Sequence, residues 1–149
     1  MLTDLLISHP LPENMHIIPT TRDPRTNLAL SSRNAYLTPT ELEIAPIVAK
    51  ALEAAQRRYT AHATARDSSG TLTGEDFIHL ASDTVVAEKE GRAKELGVEV
   101  KLDYFEVFDK TTFEPVRGEI EPGKEMVIAG AVWVGKTRLI DNLLLGWSL

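Results

Sequence analysis

Apolar side chains recur at helical spacing in the first half of the chain. Ile44, Ile47, Val48, Ala51, Leu52 and Ala55 fall on one face of a helix with 3.6 residues per turn. Ahead of them, Thr38-Pro39-Thr40-Glu41 supplies an N-cap hydroxyl, a proline at the first helical position and the glutamate of a capping box. This predicts a helix over about 39–60. A second cap, Thr73 with Asp76, opens a helix whose apolar face is Phe77, Leu80, Ala81, Thr84 and Val85. Gly97 suits a left-handed cap at its end. The stretch 61–74 between them is small and polar, centred on Asp67-Ser68-Ser69-Gly70, and reads as a loop.

Beyond Gly97 the period changes to two. Val98, Val100, Leu102 and Tyr104 alternate with Glu99, Lys101 and Asp103. Asp109 to Thr112 and Glu121 to Lys124 read as turns, Met126 to Val134 as a β-branched apolar run, and Thr137 to Leu145 as a last strand. The predicted class is α+β, with two main helices packed on a small, mostly antiparallel β-sheet. The opening is different in kind. Leu2 to Ser8 resembles the end of a helix, His9-Pro10-Leu11-Pro12 breaks it, and Met15 to Ile18 reads as a short strand ending at Pro19. Such an opening predicts further sequence upstream.

Composition narrows the partners. With 149 residues, 43% hydrophobic and 26% charged, the chain fits one globular domain. No cysteine is present, so disulfides and cysteine-built metal sites are excluded. No apolar run approaches the roughly 18 residues of a membrane helix, and the N-terminus lacks the basic start of a secretory signal. A net charge of −6 argues against a duplex nucleic-acid binder. It leaves room for ATP, because the field at a phosphate is set by nearby donors. A cytoplasmic location is expected.

The stretch richest in chemistry is 19–34. Ser31 and Ser32 offer adjacent hydroxyls and backbone amides, and Arg33 adds a planar, permanently charged fork that matches phosphate oxygens. Asn34 adds an amide, and consecutive N–H groups in a tight loop can form an anion nest. The same four residues also make an ordinary surface turn, and Arg22 and Arg25 nearby read equally well as solvated loop residues.

Two blocks of sequence resemble the pantothenate synthetase (pantoate–β-alanine ligase) family. The family pattern P-T-V-R-E-x-D-G-L-A-L-S-S-R-N-x-Y-L is matched by Pro19-Thr20-Thr21-Arg22-Asp23 and then by Leu28 through Leu37. Its later patterns, L-D-Y-x-E-V-x-D and T-R-L-I-D-N, are matched by Leu102 to Asp109 and by Thr137 to Asn142. The resemblance covers roughly residues 4–145. Thr21 stands where valine is usual, one extra residue lies around Pro24-Arg25-Thr26, and Asn27 replaces glycine, which asparagine does with least strain in a left-handed backbone.

The resemblance implies an enzyme that activates pantoate with ATP as pantoyl adenylate, releasing pyrophosphate, and then joins it to β-alanine with loss of AMP. It implies that Thr21, Leu30, Ser31, Ser32 and Arg33 contact ATP, with Arg33 also catalytic through the departing phosphates. Mg²⁺ is implied with ATP, with no protein ligand evident and no metal site in the chain. Residues 1–18 would be the tail of a missing N-terminal nucleotide-binding lobe or its hinge, and 19–149 a C-terminal ATP-lid domain. That first lobe carries a His-x-Gly-His signature; His9, His16, His62 and His79 do not reproduce it and read as surface or structural residues. The isolated chain is therefore expected to bind ATP weakly and not to ligate.

Two rival readings compete. A non-catalytic interaction module would self-associate, for instance as a homodimer, through surface meant for a partner lobe. A P-loop is suggested by Gly130-Ala131-Val132-Trp133-Val134-Gly135-Lys136-Thr137, which fits GxxxxGK[ST]. Ala131 to Val134 favours a strand and no helix follows, so a core strand leaving at a glycine turn is the better reading. Arg138, Asp141 and Asn142 are read as structural polar residues, and Asp103 and Glu106 as solvated strand positions.

Overall fold

The computed structural model describes residues 20–64 and 71–147. The expected early helix and strand within 1–18, and the centre of the polar loop at Asp67 to Gly70, lie outside the described residues. A short 3-10 helix, Ser32–Tyr36, leads into helix α1, Pro39–Ile44. Helix α2 is Ile47–Thr64 and helix α3 is Gly74–Glu88; beyond it the helical path is kinked at Gly91, whose backbone is not helical (φ −95, ψ −108). Strands β1 (Val100–Asp109), β2 (Met126–Val134) and β3 (Thr137–Leu145) form an antiparallel sheet in the order β1-β2-β3. The α+β expectation holds, with α2 and α3 as the two main helices on one face of the sheet.

Both capping boxes form. Thr38 Oγ1 accepts from the Glu41 amide while the Glu41 carboxylate accepts from the Thr38 amide, and Thr73 with Asp76 does the same. Those amides, together with the hydroxyls, hold the Glu41 and Asp76 carboxyls below the ordinary carboxylate range. Gly97 takes φ +67 at the end of the helical segment, as its position predicts.

The single helix expected over 39–60 is instead two. Pro46 has no N–H to give to the residue one turn before it, and its ring crowds that carbonyl, so the chain turns at Ala45-Pro46 and restarts at Ile47. Helix α2 then runs on to Thr64, into the segment expected to be loop.

Strand β1 also departs from simple alternation. Its register with β2 shifts between Leu102 and Tyr104, leaving Asp103 as the extra residue of a bulge. A one-residue slip exchanges the faces. Val100, Phe105 and Val107 therefore point to the helices and are buried, while Tyr104, expected on the apolar face, is 38% exposed on the other.

The core lies between the sheet and the two long helices. Ile47, Leu52 and Tyr59 of α2 and Phe77, Ala81 and Val85 of α3 meet Ile128, Val132, Val134 and Leu145. Tyr59 donates its hydroxyl to the Lys124 carbonyl at 3.1 Å and tilts against Phe77 with ring centroids 6.4 Å apart. His62 is buried beside the Ile120 carbonyl, 3.2 Å from its Nε2, and His79 is exposed. His62 is thus a structural histidine and His79 a surface one. Among the described residues, no helix is long and apolar enough to cross a membrane.

Candidate functional site

The stretch 21–36 contains no buried side chain. Apolar packing anchors it only through the half-buried Leu28, and hydrogen bonds set the rest of its shape. Residues 21–30 form a small hairpin. Leu30 N–H donates to the Thr21 carbonyl (2.9 Å), Asp23 N–H to the Leu28 carbonyl (2.9 Å), and Arg22 bridges Ala29. At the tip the Asp23 carboxylate accepts from the amides of Arg25 and Thr26, which hold it below its ordinary range. Asn27 takes φ +59, the left-handed backbone that its replacement of glycine requires. Its side-chain amide donates to Glu53 on α2.

Arg22 is the residue whose role the sequence hid. Its guanidinium grips Asp141 of β3 with both nitrogens, at 2.5 and 3.1 Å, and Nη1 also reaches the Asn27 carbonyl at 3.3 Å. Asp141 is itself fixed by the Asn142 amide, which donates to its Oδ1 at 2.8 Å. The structural reading of Asp141 holds. Arg138 and Asp103, brought together by the bulge, pair at 2.6 Å, and Glu106 pairs with Arg117, so the two acids are neutralised rather than merely solvated.

The 3-10 helix hangs from the hairpin. Ser31 is its cap, with Oγ accepting from the Arg33 amide at 3.2 Å and the carbonyl accepting from the Asn34 amide at 3.1 Å. The Asn34 side chain donates to the Ala29 carbonyl at 3.0 Å. Asn34 is therefore committed to holding the loop, and three of the amides that could have formed a nest (Leu30, Arg33 and Asn34) are engaged internally. The hydroxyl of Ser32 and the guanidinium of Arg33 take no partner among the described residues and face solvent.

Arg33, Ser31 and Asn34 line one side of a cleft whose other walls are Ala45, Val48 and Ala49 of the α1–α2 corner and Arg138 to Asp141 of β3. Its enclosed volume is about 30 Å³, room for a water molecule or two and far below the several hundred Å³ of a complete small-molecule pocket. Thr21, Leu30 and Ser32 lie outside its lining; all three are exposed, Leu30 by 59%. The residues of the α1–α2 corner line the cleft without any sequence motif to announce it; Ala45-Pro46 marks the break that creates the corner. Among the described residues there is no group of three or more His, Asp or Glu side chains arranged to hold a metal ion.

The segment fitting the P-loop expression does not form one. Gly130 to Val134 is the end of β2, Gly135-Lys136 is a two-residue turn, and Thr137 begins β3. Gly130 lies flat under the Phe105 ring, which a Cβ there would meet at 2.2 Å, and the Gly135 amide is taken by the Glu99 carbonyl at 2.8 Å. No anion-facing loop remains.

Comparison with known proteins agrees with the motif reading. The sequence profile of the Pantoate-beta-alanine ligase family matches residues 1–144. The pantothenate synthetase of Koribacter versatilis is 38% identical over 133 residues, spanning 89% of this chain and 38% of that protein. The bifunctional pantoate ligase/cytidylate kinase of a Synechocystis strain is 35% identical over 124 residues, 83% of this chain and 21% of its own length. The crystal structure of pantothenate synthetase from Thermus thermophilus superposes with a TM-score of 0.60 at 26% identity, covering 85% of this chain and 38% of that one. The chain thus spans well under half the length of these relatives, the part corresponding to their C-terminal domain. By profile, relatives and fold together, the chain belongs to the pantoate–β-alanine ligase family.

Proposed function

We propose that residues 19–149 act as the ATP-covering lobe of a pantoate–β-alanine ligase. In that enzyme the pantoate carboxylate attacks the α-phosphate of ATP, the bond to pyrophosphate breaks, and the β-alanine amine then displaces AMP from pantoyl adenylate. The observation that carries this reading is the Arg33 guanidinium: exposed, unpaired among the described residues and at the mouth of a cleft, beside the Ser31 and Ser32 hydroxyls. A fork of N–H donors placed there suits phosphate oxygens and the charge that builds as pyrophosphate leaves. The donor set fits a triphosphate, with Thr21 and Leu30 reaching the nucleotide from the exposed hairpin. Mg²⁺ arrives with the nucleotide.

The cleft is too small to enclose a nucleotide, so this lobe grips from one side. The pockets for pantoate and β-alanine belong to the N-terminal lobe carried by the longer relatives. On this reading the 149-residue chain binds MgATP weakly and does not ligate. Calorimetric titration of the purified chain with MgATP tests it. Arg33→Ala is expected to weaken binding roughly 10- to 100-fold, the worth of a charge-assisted hydrogen bond. Equal binding by wild type and variant rejects the assignment of Arg33, and turnover by the isolated chain rejects the division of labour between lobes.

A further inference from the structure

We infer that the Arg22–Asp141 ion pair is a positioning device that sets the Ser31–Arg33 loop on the edge of the sheet, an inference that rests on the ATP reading above for its functional half. The two residues are 119 positions apart and join the hairpin to β3. Their side chains are only 18% and 4% exposed, and the bidentate fork fixes direction as well as distance. The path to the loop is short. Arg22 bridges Ala29 across the hairpin, and the Ala29 carbonyl holds the Asn34 side chain, which anchors the 3-10 helix carrying Arg33.

Apolar burial holds the segment at one point only: Leu28 is half-buried against the core, while the 3-10 helix has no buried residue and residues 21–30 have none that is fully buried. Asn27 to Glu53 ties the hairpin tip to α2, but at the end remote from Ser31. A buried ion pair is weak evidence for stability, since apolar replacements of similar volume are often neutral; what such replacements lose is direction. Asp141 also lines the cleft, so without Arg22 it would present a bare negative charge to an approaching phosphate.

The test uses the full 149-residue chain with two variants, Asp141→Asn and the double replacement Arg22→Met with Asp141→Leu. The double variant removes one charge of each sign, so any loss of affinity cannot come from net charge. Amide hydrogen exchange and calorimetry with MgATP are read together. A positioning role leaves the β2–β3 ladder amides protected as in wild type, speeds exchange at the Asp23 and Leu30 amides about 10-fold or more, and weakens MgATP by at least about 10-fold. A double variant that binds MgATP like wild type with unchanged hairpin exchange overturns the inference, as does a parallel loss of protection across the whole sheet, which marks a purely structural pair. Should Arg33→Ala leave MgATP binding unaltered, the ATP reading fails on its own, and selective acceleration at Asp23 and Leu30 still decides whether the pair positions the loop.

Discussion

Gly74→Ala sets two physical effects against each other at the first residue of α3. Helix propensity and unfolded-state entropy favour alanine by up to about 1 kcal/mol. Packing opposes it. A Cβ on Gly74 would lie 1.8 Å from the Val116 carbonyl oxygen and 2.6 Å from its carbon. Neither atom is the tip of a flexible side chain. That strand-like segment is fastened by the Val116 amide to the Val107 carbonyl (2.8 Å), the Gly74 amide to the Gly118 carbonyl (3.2 Å) and the Ile120 amide to the Leu72 carbonyl (2.8 Å). Relief means displacing α3 or breaking one or two of these bonds. Overpacking costs about 1–3 kcal/mol and each lost bond about 0.5–1.5 kcal/mol. The clash wins, leaving a net destabilisation of about 2–4 kcal/mol. For a chain of this size that lowers the melting temperature by roughly 5–12 °C. Thermal unfolding followed by circular dichroism reads it, with Gly118→Ala as the control, because a Cβ there meets nothing within 4 Å. A Gly74→Ala protein that melts at or above the wild-type temperature would refute the close approach of α3 to residue 116.

Other expectations follow from single sites. Lys136→Ala, in the exposed β2–β3 turn, should leave MgATP affinity within about twofold of wild type, since an exposed lysine outside the cleft lining contributes little; loss of binding in the same titration would restore the P-loop reading. Asp109 sets part of the acid response. The amides of Thr112 and Thr111, then Lys124, lower its pKa from 3.8 to about 2. A depressed carboxyl stabilises the fold above its unfolded value, and that contribution fades as pH falls from about 4 through about 2. Urea unfolding of Asp109→Asn between pH 5 and pH 2 should therefore show a shallower decline than wild type, and identical slopes would count against the turn geometry.

How much was legible in the chain depended on whether the signal was local. Capping boxes at Thr38 and Thr73, the glycine end at Gly97 and the strand Thr137–Leu145 are written in neighbouring residues, and all appear where expected. Pro46 is equally local, yet the apolar period continues on both sides of it and by itself points to a single helix. The bulge at Asp103 was not local: alternation runs smoothly through Val98 to Tyr104, and only pairing with β2 shows the slip. The site divides the same way. Arg33 and Ser31, singled out by chemistry and family motif, line the candidate cleft. The partner of Arg22 could not be singled out that way, because 119 residues separate it from Asp141 and only the fold brings them together. Asn34 reads in sequence as a ligand amide, and the fold also makes it a strut to the Ala29 carbonyl.

The hairpin also explains how the chain carries an extra residue beside its site. The additional length falls in Pro24-Arg25-Thr26, three exposed residues whose amides, where they have them, turn back on Asp23. Below that tip, Thr21 still meets Leu30 and Arg22 still meets Ala29. Length added at the tip therefore leaves the rungs below it, and the step from Leu30 to Ser31, in place.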